Sequence, residues 1–254
     1  MANYGVIDLG SNSVRLVIFD VKDGISKKRP ITCKDFRSII NDKVMAGLSA
    51  YVDAGEFTPE GIARAVDVLS GHLKRARYFN CVRTDIFAPA VLRNCTNSRE
   101  AISAIEKAIG APVNLLSARD EAHLSFTGAS CDRTIEKGTV VDLGGGSTEL
   151  IRVEKGRDFD DVSIGQGSLS SYAGYVEFVM PRADEVGAIE SAFLDQVAKT
   201  PVDLKKYRAE TLYGVGGSAR AAAKLYAQMT GESCRPKTLT PEHFDALLDL
   251  LENN

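Results

Sequence analysis

The chain lacks tryptophan altogether, and only 7% of its 254 residues are aromatic. It lacks an excess of either charge, since 31 Lys and Arg stand against 34 Asp and Glu for a formal net charge of −3. That balance excludes the basic footprint of a duplex-DNA binder, so any polyanion must be held locally. Long apolar runs are missing too. The longest, such as Val17 to Phe19 and Ala88 to Leu92, fall far short of the roughly 18 residues of a spanning helix, so no membrane association is expected. Met1 to Gly5 carries neither a basic leader nor a cleavable apolar segment, which makes the cytoplasm the expected location. The five cysteines (Cys33, Cys81, Cys95, Cys131, Cys234) are odd in number, widely spaced and without a CxxC, as suits reduced thiols better than disulfides or zinc.

What is present is an apolar fraction of 44%, enough for one large or two modest cores. The first half reads βββαβαβ. Tyr4 to Gly10 and Val14 to Val21 form a hairpin, and a third strand is expected within Lys28 to Ile39. Thr58 with Pro59 opens a helix whose inner face is Ile62, Val66, Leu69 and Leu73. Val82 to Ala88 follows as a strand, Ser98 caps a helix to Ile109, and Pro112 to Leu116 extends again. Ser117, with Asp120 three residues on, starts a further helix to about Thr127.

The opening pattern then returns. DLGSNSVRLVIF (Asp8 to Phe19) and DLGGGSTELIRV (Asp142 to Val153) share Asp, Leu, Gly, Ser and Leu at equal offsets and start 134 residues apart. A period of one domain length argues for duplicated domains, expected at residues 1–124 and 125–254, and not for a solenoid. After the second hairpin come a strand near Val162 to Ile164, a helix from Asp184 to Ala198, a strand Thr211 to Tyr213, a helix to Met229 and a last helix capped at Thr240. The first half therefore counts five strands and the second four, one βα unit fewer, and the open edge leads to an expectation of self-association, a homodimer.

Each hairpin carries an aspartate and then a glycine-rich turn whose N–H groups can reach an anion without hindrance from a Cβ. Gly10, Ser11, Asn12 and Ser13 form the first candidate phosphate loop; Gly144, Gly145, Gly146, Ser147 and Thr148 form the second. Asp8 and Asp142, with Glu149 at the start of the next strand, are candidate ligands of a divalent cation, Mg²⁺. Two such hairpins facing across an interdomain cleft would enclose a phosphoryl group. Asp120 and Glu121 open the helix that links the repeats, so one of them can face that phosphate. Arg93 and Arg15 are the basic residues nearest these elements, and Gly214-Val-Gly216-Gly217-Ser218 is a third candidate anion turn. His72, His123 and His243 match no metal spacing and are expected at the surface or behind the site. No Walker A lysine, GxSxG elbow or kinase motif occurs.

The duplicated hairpin with its GxGG turn resembles the actin, Hsp70 and sugar-kinase superfamily. The strings IDLGSNSVRLVIF, MAGLSAYVDAG, SARDEAHLSFTGA, VVDLGGGSTELI and YGVGGSARAAAKL resemble its exopolyphosphatase/guanosine pentaphosphatase (Ppx/GppA) family over nearly the whole chain. The resemblance implies an α/β fold of two similar actin-like (ribonuclease H-like) domains around a cleft, the second without its C-terminal βα unit. It implies hydrolysis of a terminal phosphoanhydride of polyphosphate or guanosine pentaphosphate, with Glu121 as the base that deprotonates water and Arg93 balancing charge. Asp8, Asp142 and Glu149 match the acidic residues associated with Mg²⁺, and Asn12, Ser13 and Gly144 to Ser147 match phosphate contacts. The chain departs from the family pattern at Ser117-Ala118-Arg119 and at Pro89, where the family has threonine. Those departures leave a second reading in play, a binding module for polyphosphate or alarmone; a third is an ATP-using kinase or actin-like ATPase of the same superfamily.

Overall fold

The computed structural model describes residues 2–24, 32–88, 90–234 and 236–252. Pro89 and the start of the expected third strand lie outside them. The chain divides into two compact units, residues 1–134 and 135–254.

In the first unit, β1 (Ala2–Leu9), β2 (Ser13–Val21) and β3 (Phe36–Met45) run antiparallel. A one-turn 3-10 helix (Leu48–Tyr51) and a small ladder of β4 (Val52–Asp53) with β5 (Glu56–Phe57) lead into α1 (Pro59–Tyr78). Then come β6 (Cys81–Ala88), the short α2 (Ala90–Arg93), α3 (Ser98–Ile109), β7 (Asn114–Leu115) and α4 (Ala118–Asp132). The sheet order is β3-β2-β1-β6-β7, with β6 and β7 parallel to β1. Alternation in β2 sends Val14, Leu16 and Ile18 inward, all fully buried, while Arg15 and Val17 face the other way. Leu69 and Leu73 of α1 and Ile105 of α3 complete that core. Each such buried side chain contributes about 1.5–3 kcal/mol by leaving water.

The caps follow the expected chemistry at α1, where Thr58 Oγ1 accepts from Gly61 N at 3.2 Å. At α3 the residue before the helix is Asn97, not Ser98. The Asn97 amide is spent on Phe57, accepting from its N–H (2.9 Å) and donating to its carbonyl (3.0 Å), so it ties the helix start to β5. The helix opened by Ser117 runs to Asp132, past Thr127, so residue 124 falls inside it and the units divide after Thr134. A helix held by its own i to i−4 bonds moves as one piece.

The second unit repeats the arrangement with β8 (Lys137–Leu143), β9 (Thr148–Glu154), β10 (Arg157–Ile164), α5 (Ser168–Tyr175), α6 (Ala183–Lys199), β11 (Leu212–Val215), α7 (Gly216–Thr230) and α8 (Pro241–Glu252). Its sheet order is β10-β9-β8-β11, so β8 corresponds to β1 and β11 to β6. Val140, Ile151, Val153 and Ile164 form the buried face. A hollow of about 500 Å³ opens on Thr139, Val141, Leu150, Tyr207 and Leu212. Because Val141 and Leu150 alternate with Asp142 and Glu149 along their strands, it lies on the sheet face opposite those carboxylates.

Candidate active site

Both glycine-rich turns are held by their carbonyls. In the first, Ser11 O accepts from Ser49 N (2.9 Å), and Asn12 O accepts from Ala46 N (2.9 Å) and Gly47 N (2.8 Å), donors at the entry to the 3-10 helix. In the second, Gly144 O accepts from Ser168 N (3.0 Å), and Gly145 O accepts from Leu169 N and Ser170 N (2.9 Å each), donors in the first turn of α5. A trans peptide points its N–H opposite its C=O. Anchoring the Ser11, Gly144 and Gly145 carbonyls therefore turns the N–H groups of Asn12, Gly145 and Gly146 outward. The Gly145 and Gly146 N–H groups meet no acceptor among the described residues, while Gly144 N closes the turn on Ser147 O at 3.0 Å. Thr148 takes no part in that outward face. Its buried hydroxyl donates to the Gln166 carbonyl at 2.7 Å and braces the strand instead of facing a ligand.

Behind each turn lies one row of strand neighbours. The first row is Asp8–Arg15–Lys43 across β1, β2 and β3. The second is Asp142–Glu149–Ser163 across β8, β9 and β10. Glu149 is 2% exposed and accepts from Ser163 Oγ at 2.8 Å. The third turn closes on the same place: Gly216 sits at φ +93°, where an added Cβ would lie 3.1 Å from Asp142 Oδ1. Only glycine allows that backbone and that approach together. Gly217 and Ser218 follow in the first turn of α7, whose leading N–H groups are free of intrahelical partners.

In the first unit, Arg93 and Glu121 meet. Arg93 Nη1 donates to Glu121 Oε2 at 2.8 Å and to the Leu116 carbonyl at 3.1 Å, with the two side chains about one-fifth exposed (19% and 21%). Asp120 has a separate duty. Its carboxylate accepts from Ser117 Oγ (2.6 Å) and Ser117 N (3.3 Å) while its own N–H donates back to Ser117 Oγ (3.1 Å), and these bonds hold its carboxyl below the usual carboxylate range. Of the adjacent acids, the cap takes Asp120 and leaves Glu121 for Arg93.

No group of three or more His, Cys, Asp or Glu side chains placed to hold a metal ion occurs among the described residues. The pair Asp142 and Glu149 does fit Mg²⁺, a hard cation that commonly takes one or two protein carboxylates and completes its shell with water and phosphate. His72 is not at the surface. It is 1% exposed within the core, with Nε2 3.3 Å from Val14 O and Nδ1 3.4 Å from Asp42 Oδ2. The cysteines of the described residues are all free, and none of the described helices is long and apolar enough to cross a membrane.

The chain is 29% identical over 159 residues to exopolyphosphatase 2 of Mycobacterium tuberculosis, a match covering 59% of this chain and 48% of that protein. It thus spans about half the length of the curated relatives it first matches. An exopolyphosphatase from Cytophaga hutchinsonii shares its fold at a TM-score of 0.81 and 22% identity, over 99% of this chain and 80% of the other. The Aquifex aeolicus PPX-GPPA enzyme does so at 0.73 and 23%, over 99% and 81%. The α/β fold in two units is shared with these enzymes. The sequence model of the Ppx/GppA phosphatase family matches residues 7–253, turns and linking helix included, and the chain belongs to that family.

Proposed function

We propose that the chain is a Mg²⁺-dependent cytoplasmic hydrolase that releases terminal phosphate from inorganic polyphosphate or guanosine pentaphosphate. The observation that carries this reading is the Arg93–Glu121 contact, a carboxylate left over from helix capping and held by a cation. Glu121 positions water in line with the terminal phosphorus and takes its proton; the water oxygen bonds to phosphorus as the bridging P–O bond breaks and the shortened chain leaves. The outward N–H groups of Asn12, Gly145 and Gly146 donate to phosphoryl oxygens, and so does the edge of Arg93 that Glu121 and Leu116 leave unused. Asp142 and Glu149 would hold Mg²⁺, whose charge would neutralise the phosphates. The five scattered thiols, none in a disulfide among the described residues, support a reducing compartment.

Phosphate release from long-chain polyphosphate and from guanosine pentaphosphate with Mg²⁺ tests the reading. The chain should turn over one or both, and Glu121→Gln should lose about 10²- to 10⁴-fold in rate while melting like the parent. Full activity in Glu121→Gln would remove the base. Binding of polyphosphate without release under any divalent metal would make the chain a binding module.

A further inference from the structure

His72 of α1 is buried in the first unit on the same helix face as Leu69 and Leu73, where an aliphatic side chain would pack with no polar atom to satisfy. An imidazole taken out of water costs free energy unless its nitrogens find partners, and this one finds them on two strands. Nε2 lies 3.3 Å from the Val14 carbonyl of β2, and Nδ1 lies 3.4 Å from Asp42 Oδ2 of β3. A carbonyl can only accept, so Nε2 carries the proton at Val14. In the neutral ring Nδ1 then turns its lone pair to Asp42, a carboxylate that Arg75 of α1 also engages.

Val14 is the residue directly after the first turn, and the repeat sets it against Thr148, directly after the second. Thr148 braces its strand with its own hydroxyl on the Gln166 carbonyl. Valine has no hydroxyl, and the first unit supplies a brace at the same position from α1 instead. The register of β3 adds a second link. Val44 stands opposite Val14, Asp42 shares its sheet face one pleat earlier, and the chain beyond Met45 delivers the Ala46 and Gly47 N–H groups that hold the Asn12 carbonyl. One imidazole thus touches β2 where it leaves the turn and β3 on its way to the turn's anchors.

We propose that His72 is a positioning residue for the first phosphate turn: by holding the Val14 carbonyl through Nε2–H, it fixes the strand end from which the Asn12 N–H is aimed at a phosphoryl oxygen. It touches no substrate and acts through the main chain. The inference deepens the hydrolase reading and takes its ligand from it, but the brace itself needs no hydrolysis.

The test combines calorimetric titration with long-chain sodium polyphosphate, phosphate release in Mg²⁺ and amide NMR of the turns, for the parent, His72→Phe, His72→Gln and Leu73→Val. Phenylalanine keeps a ring and loses the donor, glutamine keeps a donor for Val14, and Leu73→Val trims the same core without touching a polar group. Because the turn binds ground state and transition state alike, His72→Phe should weaken polyphosphate binding and raise KM by about tenfold while kcat stays within about twofold. Its Asn12 and Ser13 amide resonances should move, and those of Gly145 and Gly146 should not. His72→Gln should restore affinity, KM and resonances, and Leu73→Val should keep all three although it melts lower. Unchanged affinity or an unmoved Asn12 resonance in His72→Phe, no restoration in His72→Gln, or an equal loss in Leu73→Val overturns the positioning role. His72→Leu, which also lacks a donor, carries the same comparison if His72→Phe does not fold. Weaker binding in His72→Phe with no release by the parent overturns the hydrolase and leaves the positioning role standing; a parent that binds no polyphosphate overturns both.

Discussion

The backbone of Gly167 lies against the backbone of Gly144: a Cβ added to Gly167 would stand 2.6 Å from the Gly144 carbonyl oxygen and 2.7 Å from the Gly145 carbonyl carbon. Gly167 has extended dihedrals (φ −134°, ψ −175°) that any residue adopts, so the requirement is for space and not for glycine's conformational freedom. This contact brings the first N–H groups of α5 within reach of the second turn's carbonyls.

Gly167→Ala should therefore move the start of α5 off the turn. Overpacking against immobile backbone costs about 1–3 kcal/mol, read as a drop in urea midpoint. The same variant should bind polyphosphate more weakly, because the Gly145 and Gly146 N–H groups lose their fixed direction. A variant with parental stability and parental affinity would show that the carbonyl clamp does not set the turn.

Arg93 and Glu121 should behave as one unit. Arg93→Met leaves the half-buried Glu121 carboxylate short of its charge-assisted partner, and Glu121→Gln leaves the guanidinium in the same position. In a double-mutant cycle on stability the two changes should couple by about 0.5–3 kcal/mol, with the double variant less damaged than the sum. Additive losses would mean that the pair is a contact without energetic consequence.

His72 gives the first unit a dependence on pH. Burial holds its imidazole below the ordinary value, against the smaller opposing effect of the hydrogen bond at the Val14 carbonyl. The groups facing it are the Asp42 carboxylate of β3 and, through that same carboxylate, Arg75 of α1. Since the unfolded chain protonates near pH 6.5 and the folded chain only lower, the unfolded state binds more protons between those values, and stability falls as pH drops below about 6.5. His72→Gln, which keeps a donor for Val14, should lose less of its urea midpoint between pH 7 and pH 5 than the parent does. Parallel losses would place the titrating group elsewhere.

Much of the architecture was legible because glycine, aspartate and apolar periodicity are side-chain signals. Asp8 to Phe19 and Asp142 to Val153 disclosed the repeat, Thr58-Pro59 the start of α1, and Ser117 with Asp120 the start of α4. His72 misled because a histidine on an amphipathic helix gives no sign of a backbone carbonyl waiting in the core. Ser98 misled because the better hydrogen-bonding use of Asn97 lies 40 residues away at Phe57. Arg93 and Glu121 were singled out for separate tasks; only the short α2 and the start of α4, brought side by side, put them in contact.

The carbonyl clamp was invisible for a related reason, and that invisibility carries a consequence for how the protein tolerates change. Its donors are the main-chain N–H groups of Ala46, Gly47, Ser49, Ser168, Leu169 and Ser170. Every amino acid except proline supplies that donor, so the exposed side chain of Ser49 is at liberty to drift under mutation while the turn keeps its shape, whereas Gly47 is fixed by its left-handed φ of +62° and Ala46 by its burial in the core. A descendant of this chain could change that serine and still hold the first turn in place, provided that it accepted no proline there, while the second turn asks also for the Ser168 and Ser170 hydroxyls and for a small residue at 167.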